Sequence, residues 1–385
     1  MAINPNYFHI RYKLFQLDAD TIQQLTSEAE AGDKDAQYAI GRYMYVVRPE
    51  EDSIDHAFHY FEKAYAQGQL DAAAALSIIY EEGCCCPIDS IKCNKLLDES
   101  LKGGSYFALI SYAYALISGT LFFKKDLDKA LELINKAIDS SAVDGELLGY
   151  LLYLKAWAKQ DRKDDDFSPE HYAEAIKHGC TCAWRYYADT MCIGEDKEIK
   201  DETEYRRILQ DGIEAGDCES MTMYTYLQSM SAEEDNTDGE KFIASFEKAF
   251  KLGSTTAAYL IAQTYYNGWD GVEMSVEKAW EWYLKGAHYN NIDCLEAMYE
   301  MCHVTHDIDL PLEQVDTIAL VGARFGSIKL LGRTVISYSE GRLTKYAAEI
   351  EKYYEPIFDA EEEADFDDIY DNDEPDDDGR FDAYA

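Results

Sequence analysis

A glycine, replaced once by serine and once by asparagine, returns every 36 to 38 residues along most of this 385-residue chain: Gly32, Gly68, Gly104, Ser141, Gly179, Gly216, Gly253, Asn290 and Gly326. Four residues after each mark stand Ala36, Ala72, Ala108, Gly145, Ala183, Ser220, Ala257, Cys294 and Leu330, small in every case but the last. Between marks run two stretches of helical spacing. A period of this length with paired amphipathic helices specifies an α-solenoid, because one pair cannot bury its apolar stripes alone and must stack on the next.

The unit at residues 257–286 states the plan most clearly. Ala257, Ile261, Ala262 and Tyr265 fall on one face of a first helix, and Val276, Ala279, Trp280 and Tyr283 on one face of a second. Gly268 and Gly271 break the periodicity and supply the positive φ angles of a tight helix-to-helix loop. Lys285 places a cation in the last turn, where the helix dipole favours one.

The same spacing predicts nine helix pairs. The first helix runs through Tyr38, Ile40 and Tyr43 and the second through Ala57, Tyr60, Phe61 and Ala64, with Pro49 between them. The others fall at 72–80 with 91–101, 108–116 with 127–138, 147–157 with 169–176, 183–192 with 204–213, 220–227 with 242–250, the unit above, 294–302 with 312–323, and 330–338 with 345–354. A lead-in over residues 1–30 ends in a capping helix through Ile22 and Leu25, with Asp20 as its expected N-cap. A charged loop at 161–166 precedes Ser168-Pro169, read as N-cap and first helical position.

The glycine, the alanine four on, a hydrophobic–small pair such as Ile40-Gly41 or Ile261-Ala262, an aromatic, a glycine loop and then Lys-Ala-x-x-Trp-Tyr-x-Lys together resemble the Sel-one-like repeat, a relative of the tetratricopeptide repeat. Lys278, Ala279, Trp282, Tyr283, Lys285 and Ala287 match its second helix residue by residue; Lys129, Ala130, Lys136 and Ala137 match in part. Ser275 stands where that family usually has aspartate, and the loop at 268–271 is one residue longer. The resemblance covers roughly residues 20 to 355. It implies a right-handed superhelical, all-α solenoid of eight to nine repeats over 31–358 and, since the family is mostly scaffolds and adaptors, a non-catalytic role in protein–protein interaction.

Seventy-five acidic side chains against 35 basic ones give a net charge of −40. The segment 359–385 carries −13 of this, leaving −27 on the solenoid. That segment, rich in Asp and Glu with isolated aromatics, cannot bury enough apolar surface to fold alone and is expected to be a disordered acidic tail. Phosphate recognition needs Lys and Arg, so nucleic acid and anionic lipid are disfavoured as partners. A basic protein or peptide is the electrostatic complement. No secretory signal opens the chain and no run approaches a membrane span, and the ten cysteines follow no per-repeat spacing; the expectation is a cytoplasmic protein without disulfides.

Catalytic signatures are weak. No phosphate loop, dinucleotide fingerprint or His-Glu-x-x-His helix occurs. Cys294, Cys302, His303 and His306 form the best soft-ligand cluster, followed by Cys180, Cys182 and Cys192 and by Cys84-Cys85-Cys86, but buried cysteines and loop histidines explain the same residues. The expectation is no cofactor, no metal and no enzyme activity.

Tyrosine is the informative residue, with 31 copies. On the tetratricopeptide plan the concave face is lined by Tyr38, Arg42, Tyr45, Ile78, Tyr114, Tyr150, Tyr153, Arg185, Tyr226, Tyr259, Gln263, Tyr266, Glu296 and Glu300. Tyr43, Tyr60, Tyr80, Tyr265 and Tyr283 fall at packing positions. An acidic, tyrosine-rich groove suits a basic ligand through cation–π contacts and phenol hydrogen bonds. Three other functions remain open: an immunity or antitoxin-like protein covering the cationic groove of a nuclease-type toxin, a metal-dependent regulator or enzyme using residues 294–306, and a holder of basic clients.

Overall fold

The computed structural model describes residues 11–48, 52–139, 143, 145–194, 196–231 and 239–362. The acidic segment from residue 363 onward lies outside them, while its first residues belong to a helix that runs to Glu362. Among the described residues the chain is helical apart from one isolated bridge, Ile193 with Ile199.

A short helix α1 (Arg11–Leu14) leads into α2 (Ala19–Glu30), and nine helix pairs follow. They are α3 (Lys34–Val47) with α4 (Ser53–Ala66), α5 (Leu70–Glu82) with α6 (Ser90–Lys102), α7 (Tyr106–Ser118) with α8 (Leu127–Asp139), and α9 (Gly145–Arg162) with α10 (Glu170–Lys177). Then come α11 (Ala183–Cys192) with α12 (Glu202–Ala215), α13 (Cys218–Met230) with α14 (Gly239–Lys251), α15 (Thr255–Asn267) with α16 (Val276–His288), and α17 (Ile292–His303) with α18 (Leu312–Arg324). The ninth pair is α19 (Ile328–Ser339) with α20 (Ala347–Glu349), which passes through a π-helical turn, Ile350–Tyr354, into α21 (Glu355–Glu362).

The local chemistry of the repeat explains its period. Each mark glycine has a positive φ, from 80° at Gly68 to 110° at Gly253, and Asn290 takes the same conformation at 61°. Such a residue ends one helix and turns the chain into the next. The residue that follows is usually a polar N-cap: Asp33, Gln69, Ser105, Asp217, Ser254, Asn291 and Ser327 each accept from a backbone N–H in the first turn. The bond most often reaches the small residue four after the mark, as from Ala36 N–H to Asp33 (2.8 Å) and Ala108 N–H to Ser105 (2.9 Å). Each cap of this kind stabilises its helix by about 1 kcal/mol.

The small residue serves packing as well. A second small residue stands eight positions earlier, near the end of the preceding helix, at Ala64 before Ala72, Ala175 before Ala183, Gly212 before Ser220, Ala249 before Ala257 and Gly286 before Cys294, all buried. At Gly212, Gly286 and Gly322 an added Cβ would lie 2.1–2.4 Å from the nearest atom of the following helix. Leu330, the large exception in the series, is accommodated because Gly322 opposite it has no side chain. Two helices joined this way run close together and form one continuous core.

Three local expectations are corrected. The cap of α2 is Asp18, not Asp20: the Asp18 side chain accepts from Thr21 N–H at 2.7 Å from an extended backbone, and Asp20 sits inside the first turn. The charged loop at 161–166 begins later, since α9 continues to Arg162, whose guanidinium binds Asp164 (2.6 Å) and Asp128. The last helix runs past 354. Pro356 has no N–H to return to Lys352, and the turn before it widens so that Glu355 N–H bonds to the Ile350 carbonyl.

Candidate functional site

Curvature identifies the inner face. Successive first helices touch one another, α3 with α5, α5 with α7, α7 with α9, α11 with α13, α13 with α15 and α15 with α17, whereas second helices pack chiefly against first helices. A stack whose first helices lie closer together bends toward that layer, so the first helices line the inside.

The bend is strong enough to bring early units against late ones. Tyr289 donates from its hydroxyl to the Val47 carbonyl at 2.7 Å, and the Arg48 guanidinium donates to the His288 carbonyl and to Asn290 Oδ1 (3.2 Å). Arg324 reaches the Gly83 carbonyl at 3.3 Å, and Tyr353 donates to the Ser90 hydroxyl at 3.1 Å while its ring lies 5.1 Å from that of Phe122. The inner face therefore wraps around on itself.

The residues expected on that face occupy three settings. Tyr38, Tyr153 and Gln263 are buried in packing. Tyr38 lies between Phe61 (6.2 Å) and Phe107 (5.9 Å), Tyr153 among Tyr150, Tyr172 and Tyr186, and Gln263 donates to the Tyr259 hydroxyl at 2.9 Å. Arg42 is also buried, its guanidinium 4.4 Å from the Phe107 ring centre, and burial holds its pKa below the ordinary value.

Tyr45, Ile78, Tyr150, Arg185, Tyr226, Tyr259, Tyr266, Glu296 and Glu300 are half-buried. Tyr45 donates to Glu82, Tyr266 to Asp307 (2.7 Å), Ser327 to Glu296 (2.5 Å) and Lys329 to Glu300, and Arg185 pairs with Asp189. Tyr114 alone of the set is strongly exposed, at 47%, with its ring 5.5 Å from Trp157. Of the tyrosines expected to pack, Tyr265 and Tyr283 are buried and Tyr43, Tyr60 and Tyr80 half-buried.

The structure adds carboxylates that the tyrosine pattern does not point to. Glu82 and Glu219 are half-buried, as is Glu81 next to Glu82. Burial pushes Glu82 above the usual carboxylate range, opposed by the Tyr45 hydrogen bond and by the charges of Arg48 and Arg11. Burial likewise raises Glu219, opposed by a hydrogen bond from Ser254 and by Arg185 and Arg11, with Asp217 adding to the rise. Glu296 is raised by burial too, opposed by a hydrogen bond from Ser327 and by the charge of Lys329. The position of Glu219 was legible: three residues after the mark stand Asp35, Asp71, Glu219 and Asp293, each in the first turn of an inner helix where the dipole favours an acid, whereas Glu82 and Glu296 follow no such rule.

The cysteine clusters do not assemble a centre. Among the described residues no three His, Cys, Asp or Glu side chains converge in metal-binding geometry. Cys294 is buried against Gly286, Cys302 packs with Leu295 and Tyr299, and the His303 ring lies 5.1 Å from Tyr299. Cys180 and Cys182 have sulfur atoms 3.2 Å apart, but Cys192 packs separately with Tyr205 and Leu209. A cavity of about 650 Å³ near Tyr112, Phe123 and Arg162 is rimmed by cations already committed to partners, Lys125 to Asp161 (2.7 Å) and Arg162 to Asp128 and Asp164.

Stacked helix pairs with a continuous inner face define a repeat protein of the α-solenoid class. Residues 34–69, 107–141 and 255–288 match the Sel1 repeat, and the chain carries Sel1 repeats. Repeats of this kind typically serve as protein-interaction scaffolds. Two solved structures are similar in architecture. One is c5321, described as a protective antigen present in uropathogenic Escherichia coli strains and displaying an SLR fold; it is 15% identical over 90% of this chain and 75% of its own, with a TM-score of 0.39. The other is a Sel1 repeat protein from Oxalobacter formigenes, 19% identical over 87% of this chain and 94% of its own, with a TM-score of 0.37. No curated protein matches the chain. No helix among the described residues is long and apolar enough to cross a membrane.

Proposed function

We propose that this protein is a non-catalytic scaffold that binds a basic protein or peptide on the inner face of its solenoid. The observation that carries this reading is the set of half-buried carboxylates there, Glu82 and Glu219 above all, held away from water and raised above their ordinary pKa. A desolvated carboxylate gains more from an approaching cation than an exposed one does, because less solvent screens the pair. Half-buried tyrosines beside them, Tyr45 next to Glu82 and Tyr259 near Asp293 and Glu300, add ring faces and hydroxyls suited to guanidinium or ammonium groups.

The test is capture of a partner at low salt by the full chain and by its Glu82→Gln/Glu219→Gln variant. One basic protein retained by the wild type and lost by the variant supports the reading. Equal retention by both overturns it. Binding should also weaken as salt rises. A cation favours the ionised carboxylate, so affinity should fall as the pH drops from neutrality through the raised folded-state pKa values of these carboxylates.

A further inference from the structure

The N-terminal seventeen residues contain Arg11 and Lys13 and no acid; the first carboxylate of this strongly acidic chain is Asp18. The described part of that segment does not lie beside its neighbours in sequence alone. Lys13 Nζ is 2.7 Å from Glu146 Oε1 in the fourth unit, with the lysine side chain only 14% exposed. The charge of Arg11 lowers the pKa of Glu82 in the second unit and of Glu219 in the sixth. Leu14 is wholly buried against the α2–α3 core. The Phe15 ring lies 6.4 Å from Tyr289 and over Gly253, where an added Cβ would stand 2.9 Å from it, so the bare glycine makes the seat for that ring.

Four residues thus touch or act on elements drawn from the first, second, fourth, sixth and seventh units. Capping the first repeat would not require this, because α2 already packs along α3. Nor does the segment hold its own shape: α1 is a single turn, too short to persist without the surfaces around it. It is joined to α2 by a turn in which Gln16 N–H bonds to the Lys13 carbonyl at 3.1 Å.

We propose that residues 11–17 are a tethered stand-in for the partner. Building on the inner-face reading above, the partner's contact segment then carries two cations one residue apart followed by an aliphatic and an aromatic residue, and it enters by displacing Arg11, Lys13 and Phe15. Lys13 marks where one of its cations sits, Leu14 its aliphatic anchor and Gly253 with Tyr289 the seat of its ring. A tethered competitor divides the apparent affinity by the fraction of time that the site is free.

The probe is a fluorescein-labelled peptide with the sequence of residues 7–17, with a scrambled peptide of the same composition beside it, followed by anisotropy on the full-length protein. If the segment is docked about nine-tenths of the time, Arg11→Ala/Lys13→Ala should bind the ordered peptide about tenfold more tightly than the wild type does. Lys102→Ala/Lys248→Ala, which removes the same charge from outer helices, should leave binding unchanged, and adding Glu146→Gln to the first variant should weaken it. Equal affinity of the wild type and Arg11→Ala/Lys13→Ala, or equal binding of ordered and scrambled peptides, overturns the proposal.

Should that variant fail to fold, hydrogen exchange of the wild type decides. Excess ordered peptide should speed exchange of the amides of residues 11–17, and unchanged protection overturns the idea. A failure here beside a basic partner still lost on Glu82→Gln/Glu219→Gln removes the stand-in and leaves the inner-face reading; insensitivity to those substitutions removes the inner-face reading itself.

Discussion

Glu219 carries a cost that its position explains. Its carboxylate is half-buried beside Asp217, so the folded protein holds a proton there more tightly than the unfolded chain does. Stability from such a group is present at low pH and is lost as the pH rises through the raised folded-state value. Glu219→Gln should therefore raise Tm at neutral pH, with a gain that disappears on acidification, and the same change should weaken partner binding. A Tm that is unchanged at neutral pH would mean that Arg11, Arg185 and Ser254 already offset the burial. At this scale the sequence was only partly readable. Helical spacing located the tyrosines on inner helices, yet whether a ring faces the channel or the next helix depends on a rotation of a few tens of degrees, and Tyr38 and Tyr153 turned inward to the core. The acids three residues after several marks, such as Asp71 and Glu219, were present in the pattern, but became meaningful only once the bend showed which side they share.

Among the elements, the junction between one pair and the next is where stability concentrates. The chain ends a helix with a positive-φ glycine, caps the next with a polar side chain and crosses the two at a small–small contact, all within nine residues. Gly322→Ala should destabilise the protein by about 1–3 kcal/mol, since the new methyl meets Leu330 in a packed core and one of them must leave its rotamer. Adding Leu330→Ala should return part of that loss, and thermal melts of the two variants read the coupling. The period made these junctions legible without coordinates, because a glycine and a small residue at fixed separation leave little else for the backbone to do. The misplaced features were those where neighbours outvote local preference: Asp18 over Asp20 as a cap, the extension of α9 by ion pairs, and the π turn ahead of Pro356.

At the level of the whole molecule, the contacts between early and late units decide the shape. Arg48 and Tyr289 fasten the first unit to the end of the seventh. Arg48→Ala with Tyr289→Phe should leave helicity by circular dichroism intact and increase the radius of gyration measured by small-angle scattering; an unchanged radius would show that the remaining contacts close the turn without them. Nothing in the repeat pattern foretold this closure, since the period fixes the rise of a stack and leaves its curvature to side-chain volumes at every junction.

The same fastening sets an order of events for a chain emerging from the ribosome. Val47 and Arg48 find their partners only when Tyr289 and Asn290 have been made, some 240 residues later, and Ser90 waits 263 residues for Tyr353. Units of a solenoid condense on their neighbours as they appear, but pairings of such long range are slow to form. The growing protein therefore passes through a stage in which its early half is folded yet unlatched, with Arg48 and Ser90 still waiting for the partners that close the turn.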